Sequence, residues 1–283
     1  MRKFLDPKMD FIFNKIMEDE ALLLDFLHAV LGKAEGELVS VERMNLVTTK
    51  EFLENKYAVL DVKVKTGDGR IINIEIQNRD EKNMSKRTLF NWSKMYGEQV
   101  IEGENYRKLN KTICINILNF NYLEDENGFH NIYRLLNTQS KNELKDNTME
   151  LHFIELPKYD GYKNISDNES LKAWVEFLNR PDNSNYKENP AIKKAVEKLE
   201  ILSGDKETIE LYKLRKEALA EGNRLINTAR IEGKAEGLIE EKYRFVQNLL
   251  DILDDETIAQ KSELSLEEVR EIRKTRLKFI SPE

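Results

Sequence analysis

A single cysteine, Cys114, stands among the 283 residues, so neither an intramolecular disulfide nor a cysteine cage for zinc can form. Histidine is almost as scarce: the three copies lie far apart in sequence and make no local metal motif. No apolar run approaches the ~18 residues that a membrane-spanning helix needs. The first residues also lack the layout of a secretory signal, so a cytoplasmic protein is expected. A basic excess is missing too. The formal net charge is −7, whereas nucleic-acid-binding chains usually show a basic footprint. Against these absences stand 40% hydrophobic and 34% charged residues, which allow one or two soluble domains with a sizeable core. The charge is also uneven. Between Lys56 and Lys111, twelve Lys/Arg accompany eight Asp/Glu, a local positive patch that permits phosphate binding without demanding it.

The most informative stretch runs from Tyr57 to Gln77, YAVLDVKVKTGDGRIINIEIQ. Apolar and polar residues alternate on both sides of Gly67-Asp68-Gly69, the period of a half-buried strand pair. Two registers compete. A two-residue Asp68-Gly69 turn sets Val62 against Glu75 and Asp61 against Ile76, mixing charge and hydrocarbon on both faces. A three-residue loop, with Gly69 as the left-handed residue of a bulge, sets Leu60, Val62 and Val64 against Ile76, Ile74 and Ile72. The apolar pattern selects the second, because a one-residue slip exchanges the faces of a whole strand. The other face then pairs Asp61 with Glu75, Lys63 with Asn73 and Val59 with Gln77. Carboxylates opposed at ~4.5–5.5 Å between Cβ atoms destabilise one another. They read either as a solvated polar face, partly neutralised by Lys63, or as the ligand pair of a divalent cation.

The rest of the chain frames that hairpin. Asp6-Pro7 predicts a helix opening, with Phe13, Ile16 and Met17 on its apolar stripe. A second helix is expected from Asp19 to Leu31, ending at Gly32, with His28 as a partly buried structural residue. LVSVERMNLV suggests an edge strand. A helix over about 83–102 is expected to bury Leu89, Trp92, Tyr96 and Val100, while Arg87, Asn91 and Lys94 share another face. ICINILNF and LHFIELPKY read as strands separated by a loop-rich stretch over 121–147, and strand–helix–strand order implies a right-handed crossover in a mixed sheet. Beyond Gly161 only helices are expected. One long helix, from Lys206 to about Leu253, contains Gly222, Gly233 and Gly237, whose spacing groups small residues and suggests self-association. The segment ETIAQKSELSLEEVREIRK has helix-turn-helix form with Ser265 as a cap. Glu267 and Glu268 at the start of its second helix argue against DNA reading there. The expected division is 1–160, a nuclease-like domain, 161–253, a helical extension, and 254–283, a small helix-turn-helix-like tail.

Asp61 followed by Glu75-Ile76-Gln77 on the next strand resembles the PD-(D/E)xK nuclease pattern, with glutamine where lysine is usual. FLDPKMDFIFNKI, LDVKVKTGDGRIINIEIQ, KRTLFNWSKMYGEQVIEGENYRKL, KTICINILNF and LHFIELPKY, taken in that order over about 6–159, are similar to the Rpn family. Those proteins are recombination-promoting nucleases, also described as transposases of the PD-(D/E)xK type. The resemblance implies an α/β fold, a restriction-endonuclease-like mixed sheet core with flanking helices followed by an all-α C-terminal region. It also implies a metal-dependent DNA endonuclease with DNA as partner; the small-residue spacing of the long helix adds an expected homodimer through the C-terminal helices, and the lack of an apolar span an expectation of no membrane association. By resemblance Asp61, Glu75 and the carbonyl of Ile76 would hold Mg²⁺ or Mn²⁺, with Asp10 as a further candidate ligand. Gln77 would orient water or phosphate, and Lys63, Arg87 and Lys94 would meet the DNA backbone. Asn14 stands where the family usually has lysine, and near Asn91 the family favours tyrosine. A non-catalytic assembly module and a strand-transferring transposase are the alternatives.

Overall fold

In the computed structural model, residues 4–32, 38–44, 61–159, 168–182 and 189–280 are described. The hairpin takes the bulged register. β2 (Val62–Thr66) lies antiparallel to β3 (Ile71–Gln77), with Val62 opposite Ile74, Lys63 opposite Asn73 and Val64 opposite Ile72. Gly69 holds φ at 91° and donates its N–H to Thr66 O at 2.8 Å, the left-handed position that the three-residue loop requires. Val59 and Leu60, expected opposite Gln77 and Ile76, fall outside the described residues.

The sheet grows from both edges of this hairpin. β1 (Val41–Arg43), a short edge strand, pairs antiparallel with β2. On the other side β4 (Thr112–Leu118) and then β6 (Met149–Glu155) run parallel to β3, and β5 (His130–Arg134) closes the sheet antiparallel to β6. The order is β1-β2-β3-β4-β6-β5. Parallel neighbours need a crossover, and α3 (Met84–Gly97) lies between β3 and β4 in the chain. Sequence pattern had assigned 121–147 to loop, so β5 is a correction. Its HNIYR is half-exposed and carries no buried apolar alternation, as an edge strand can.

One face of the sheet presents Val62, Val64, Ile72, Ile74, Ile76, Ile113, Ile115 and Ile117 to a helical layer. That layer comprises α1 (Asp10–Ile16), α2 (Glu20–Leu31), α4 (Glu169–Asn179) and α5 (Pro190–Gly204). α1 starts later than Asp6-Pro7 suggests, because Asp6 closes a turn through Lys8 N and Met9 N instead of capping a helix. α2 matches its pattern. Asp19 accepts from Ala21 N and Leu22 N, and Gly32 ends it at φ 72°. Phe26 meets Phe13 and Trp174 edge-on, at 5.9 and 5.4 Å between ring centroids. Burying each such side chain contributes roughly 1.5–3 kcal/mol.

α3 covers the opposite face, with Trp92 packed against it as expected but with its fully buried positions elsewhere. Met84, Thr88 and Met95 are its buried side chains, while Leu89 is 44% exposed. The reason lies underneath. The strands below α3 carry Asn73, Glu75 and Asn116 among the apolar side chains, so the stripe that fits is small and polar-tolerant. Thr88 Oγ1 donates to Asn116 Oδ1 at 3.0 Å. Two histidines distant in sequence also meet. His130 Nε2 lies 2.9 Å from His152 Nδ1, and His152 Nε2 lies 2.6 Å from Glu150 Oε1. Since an ionised Glu150 can only accept, His152 Nε2 carries the hydrogen of that bond. Lys111 and Arg134 complete the charge on Glu150 at 2.9 and 2.7 Å. His28 is structural, its Nε2 accepting from Leu38 N at 3.0 Å.

The chain forms two compact units, Met1–Lys216 and Glu217–Glu283. α6 (Lys206–Leu249), α7 (Asp255–Ser262) and α8 (Leu266–Ile280) are the remaining α-helices among the described residues. The second unit has its own small core of Val246, Leu250, Ile258, Val269 and Ile272. Ser265 opens α8 with a reciprocal cap: Glu268 N donates to Ser265 Oγ, and Ser265 N donates to Glu268 Oε2. Among the described residues no helix is long and apolar enough to cross a membrane.

Candidate functional site

Continuing the hairpin register by one residue beyond the Val62–Ile74 rung sets Asp61 opposite Glu75, on the face away from the isoleucine core. α3 bridges that face, and between helix and sheet opens a cleft of about 390 Å³ lined by Asp61, Lys63, Asn73, Glu75, Arg87, Asn91, Lys94, Met95 and Glu98. The two strand carboxylates therefore share one cavity with Arg87, Asn91 and Lys94, the helical stripe read from spacing alone. Three acids and three cations face one another in it. Both strand carboxylates also act on Cys114. Its burial, and then the negative charges of Glu75 and Asp61, push the thiol far above its ordinary range.

Glu75 is the most constrained group in the cleft, at 5% exposure. Its Oε1 accepts from Asn73 Nδ2 at 3.0 Å and from Asn91 Nδ2 at 2.6 Å. Its Oε2 accepts from Gln77 Nε2 at 3.2 Å and lies 3.4 Å from an Arg87 guanidinium nitrogen. A buried carboxylate is costly unless hydrogen-bonded and paired, and here three hydrogen bonds and one ion pair surround it. Lys63 pairs with Glu98 at 3.4 Å, and Lys94 lies 3.9 Å from the other oxygen of Glu98. Asp61 is held from the opposite face, its carbonyl accepting from Asn14 Nδ2 at 3.4 Å. Asn14 in turn accepts from Arg43 at 3.2 Å, so the departure from the family's lysine has a structural use here.

Two of the sequence candidates take other places. Asp10 does not line the cleft; it is buried in an ion pair with Arg215, 205 residues away, and accepts from its neighbour's N–H. Gln77 is outside the cleft lining and turns its amide onto Glu75. Ile76 buries its side chain in the core of the opposite face, which leaves its carbonyl as its only means of contributing. Sequence reading gave no role to Asn73, Met95 or Glu98, and did not assign Asn91 to Glu75. Asn73 was within reach, because residues two apart on a strand share a face.

The donor set suits a hard divalent cation. Mg²⁺ is typically held by one or two carboxylates with waters and substrate phosphate completing the shell, so two acids suffice. Among the described residues, no cluster of three or more His, Cys, Asp or Glu is arranged for a metal. One further oxygen fits. Asn73 donates its Nδ2 to Glu75, which fixes the amide's orientation, and its buried Oδ1 has no hydrogen-bond partner. Such an orphaned acceptor is expensive, and an ion-bound water would satisfy it.

Comparison with known proteins adds a family. A family model described as PD-(D/E)XK nuclease family transposase matches residues 7–229, well over half of the chain. No curated protein and no solved structure matches it.

Proposed function

The chain belongs to the PD-(D/E)XK nuclease family transposases, and on that premise we propose that it is a metal-dependent endonuclease hydrolysing phosphodiester bonds in DNA, acting in recombination or with a mobile element. The observation that carries the reading is the convergence of Asp61 and Glu75 in one cleft with Arg87 and Lys94. Asp61, Glu75 and the Ile76 carbonyl would hold the cation, Mg²⁺ or Mn²⁺. When bound, it would polarise the scissile phosphate and acidify an attacking water.

The protein's own groups then do the rest. The cleft's three acids and three cations balance, so a divalent ion leaves it net positive and attractive to a phosphodiester. Lys63 and Lys94 offer ammonium groups to the backbone, and Arg87 offers a fork matched to phosphate oxygens. Asn73 and Asn91 keep Glu75 aimed. Gln77 has no proton to give at neutral pH and serves by orienting Glu75, so slow turnover is expected. Backbone contacts of this kind carry no base information. The open space around Gly222, Gly233 and Gly237 supports close approach of a second chain's helix. A light-scattering mass of one chain at micromolar concentration would count against that dimer.

The test is nicking of supercoiled plasmid by purified protein with Mg²⁺. Wild type should cut, while EDTA or Asp61→Ala should abolish cutting with the circular dichroism spectrum intact. One observation favours a second reading, a non-catalytic DNA-binding module: both oxygens of Glu75 are already occupied by protein donors. DNA binding without cutting in either metal would select it. Joining of a donor end to a target would instead select strand transfer.

A further inference from the structure

The four donors on Glu75 are not equivalent. Oε1 is held by two neutral amides at 3.0 and 2.6 Å, from Asn73, which is 4% exposed, and from Asn91 on the facing helix. Oε2 has looser company, with Gln77 at 3.2 Å and Arg87 at 3.4 Å. A charge-assisted guanidinium–carboxylate bond ordinarily closes to ~2.7–2.9 Å, so Arg87 stands off its partner. It also has a second carboxylate, Glu81, 3.8 Å from its other terminal nitrogen and itself half-exposed. The result is one fixed oxygen and one whose cationic neighbour can leave without being stranded.

We propose that Arg87 is an exchangeable occupant of Glu75: Oε1 stays pinned by Asn73 and Asn91, while Oε2 trades the guanidinium for a divalent cation, releasing Arg87 to a DNA phosphate. This rests on the reading of the cleft as a cation site. The exchange follows from charge density. A compact double charge outcompetes a delocalised single one for the same carboxylate oxygen, and the displaced guanidinium is the group best shaped for a phosphodiester. No covalent bond changes in the step. Arg87 thereby guards the site, keeping the buried acid compensated until cation and DNA arrive together. Asn91 is a positioning residue that decides which oxygen exchanges.

The consequence is a pair of opposite effects in one variant. Full-length protein would be titrated with Mn²⁺, followed by electron paramagnetic resonance, and separately with fluorescein-labelled duplex DNA in Ca²⁺. Arg87→Gln should bind Mn²⁺ about two- to fivefold tighter than wild type, because a competing cation worth up to ~1 kcal/mol has gone. The same variant should bind DNA more weakly. Arg87→Met, equally neutral, should behave alike and covers a failure of either to fold. Asn91→Leu should weaken Mn²⁺ binding while Arg87 remains. Unchanged or weaker Mn²⁺ affinity in both Arg87 variants overturns the exchange. A wild-type isotherm indistinguishable from that of Asp61→Asn overturns the exchange and the cation-site reading together, which separates the two failures.

Discussion

Replacing Glu75 by glutamine keeps the shape of the side chain and exchanges one acceptor oxygen for a donor. Wherever the new NH₂ points, it confronts two existing donors. In the place of Oε1 it would face Asn73 and Asn91, at 3.0 and 2.6 Å and tightly packed. In the place of Oε2 it would face Gln77 and Arg87, both partly exposed and able to turn away. The second orientation is cheaper. Gln77 can rotate to present its own oxygen, but Arg87 keeps only Glu81 as a charge partner and the two asparagines now donate to a neutral oxygen. Hydrogen bonds to charged groups contribute ~1.5–3 kcal/mol and neutral ones ~0.5–1.5, so weakening two costs about 2 kcal/mol in total. Relief from burying the carboxylate opposes this, and it is small because four donors already solvate the anion. At ~2–4 °C per kcal/mol for a unit of this size, Tm should fall by about 4–8 °C. The only two tryptophans, Trp92 and Trp174, both lie in the first compact unit, so fluorescence-detected melting reports on it directly. A Tm equal to or above that of wild type would refute the idea that this wall of the cleft is built around an anion.

Other consequences are independent of that site. Asp10→Ala breaks the buried ion pair with Arg215 and should cost up to ~3–5 kcal/mol; cleavage per folded molecule should persist, and its loss in folded protein would return Asp10 to the catalytic group. Burial, and then His152, push the pKa of His130 down to about 3. Unfolded histidine binds its proton near 6.5, so stability should decline as pH falls from there toward 3, by up to ~1.4 kcal/mol per unit. Burial alone would raise the Glu150 carboxyl, yet His152, Lys111 and Arg134 hold it well below the usual range, adding a further acid loss beneath about pH 4.5. Urea midpoints at pH 7 and 5 should differ accordingly, and a His130→Gln variant should flatten the upper part of that slope; an unaltered slope would contradict the assignment. Cys114, buried with its thiol pushed up, should react with Ellman's reagent only as fast as the protein opens. Immediate stoichiometric labelling would show the strand to be accessible.

What the sequence made legible was local and periodic. Val62 and Val64 against Ile72 and Ile74 could be paired by pattern because a wrong register would have put charge into the core, a penalty large enough to settle the choice. Arg87, Asn91 and Lys94 could be placed on one helical face for the same kind of reason. The buried face of α3 was misjudged because bulk suggested Leu89 and Tyr96, whereas the sheet beneath carries polar groups that select Thr88 and Met95. β5 escaped notice because an edge strand need bury little. Asp10 with Arg215, and His130 with His152, are long-range meetings that no spacing announces. Strand spacing brings Asn73 and Gln77 to the face of Glu75, but Arg87 and Asn91 of α3 meet it only through the fold.

The account depends on Asp61 and Glu75 meeting at one ion, and anomalous scattering from crystals equilibrated with Mn²⁺ tests this most directly. A peak between the two carboxylates, with the Arg87 guanidinium drawn back from Glu75 Oε2, is the predicted result. A peak elsewhere, or none at saturating Mn²⁺ with Arg87 still in place, would contradict it.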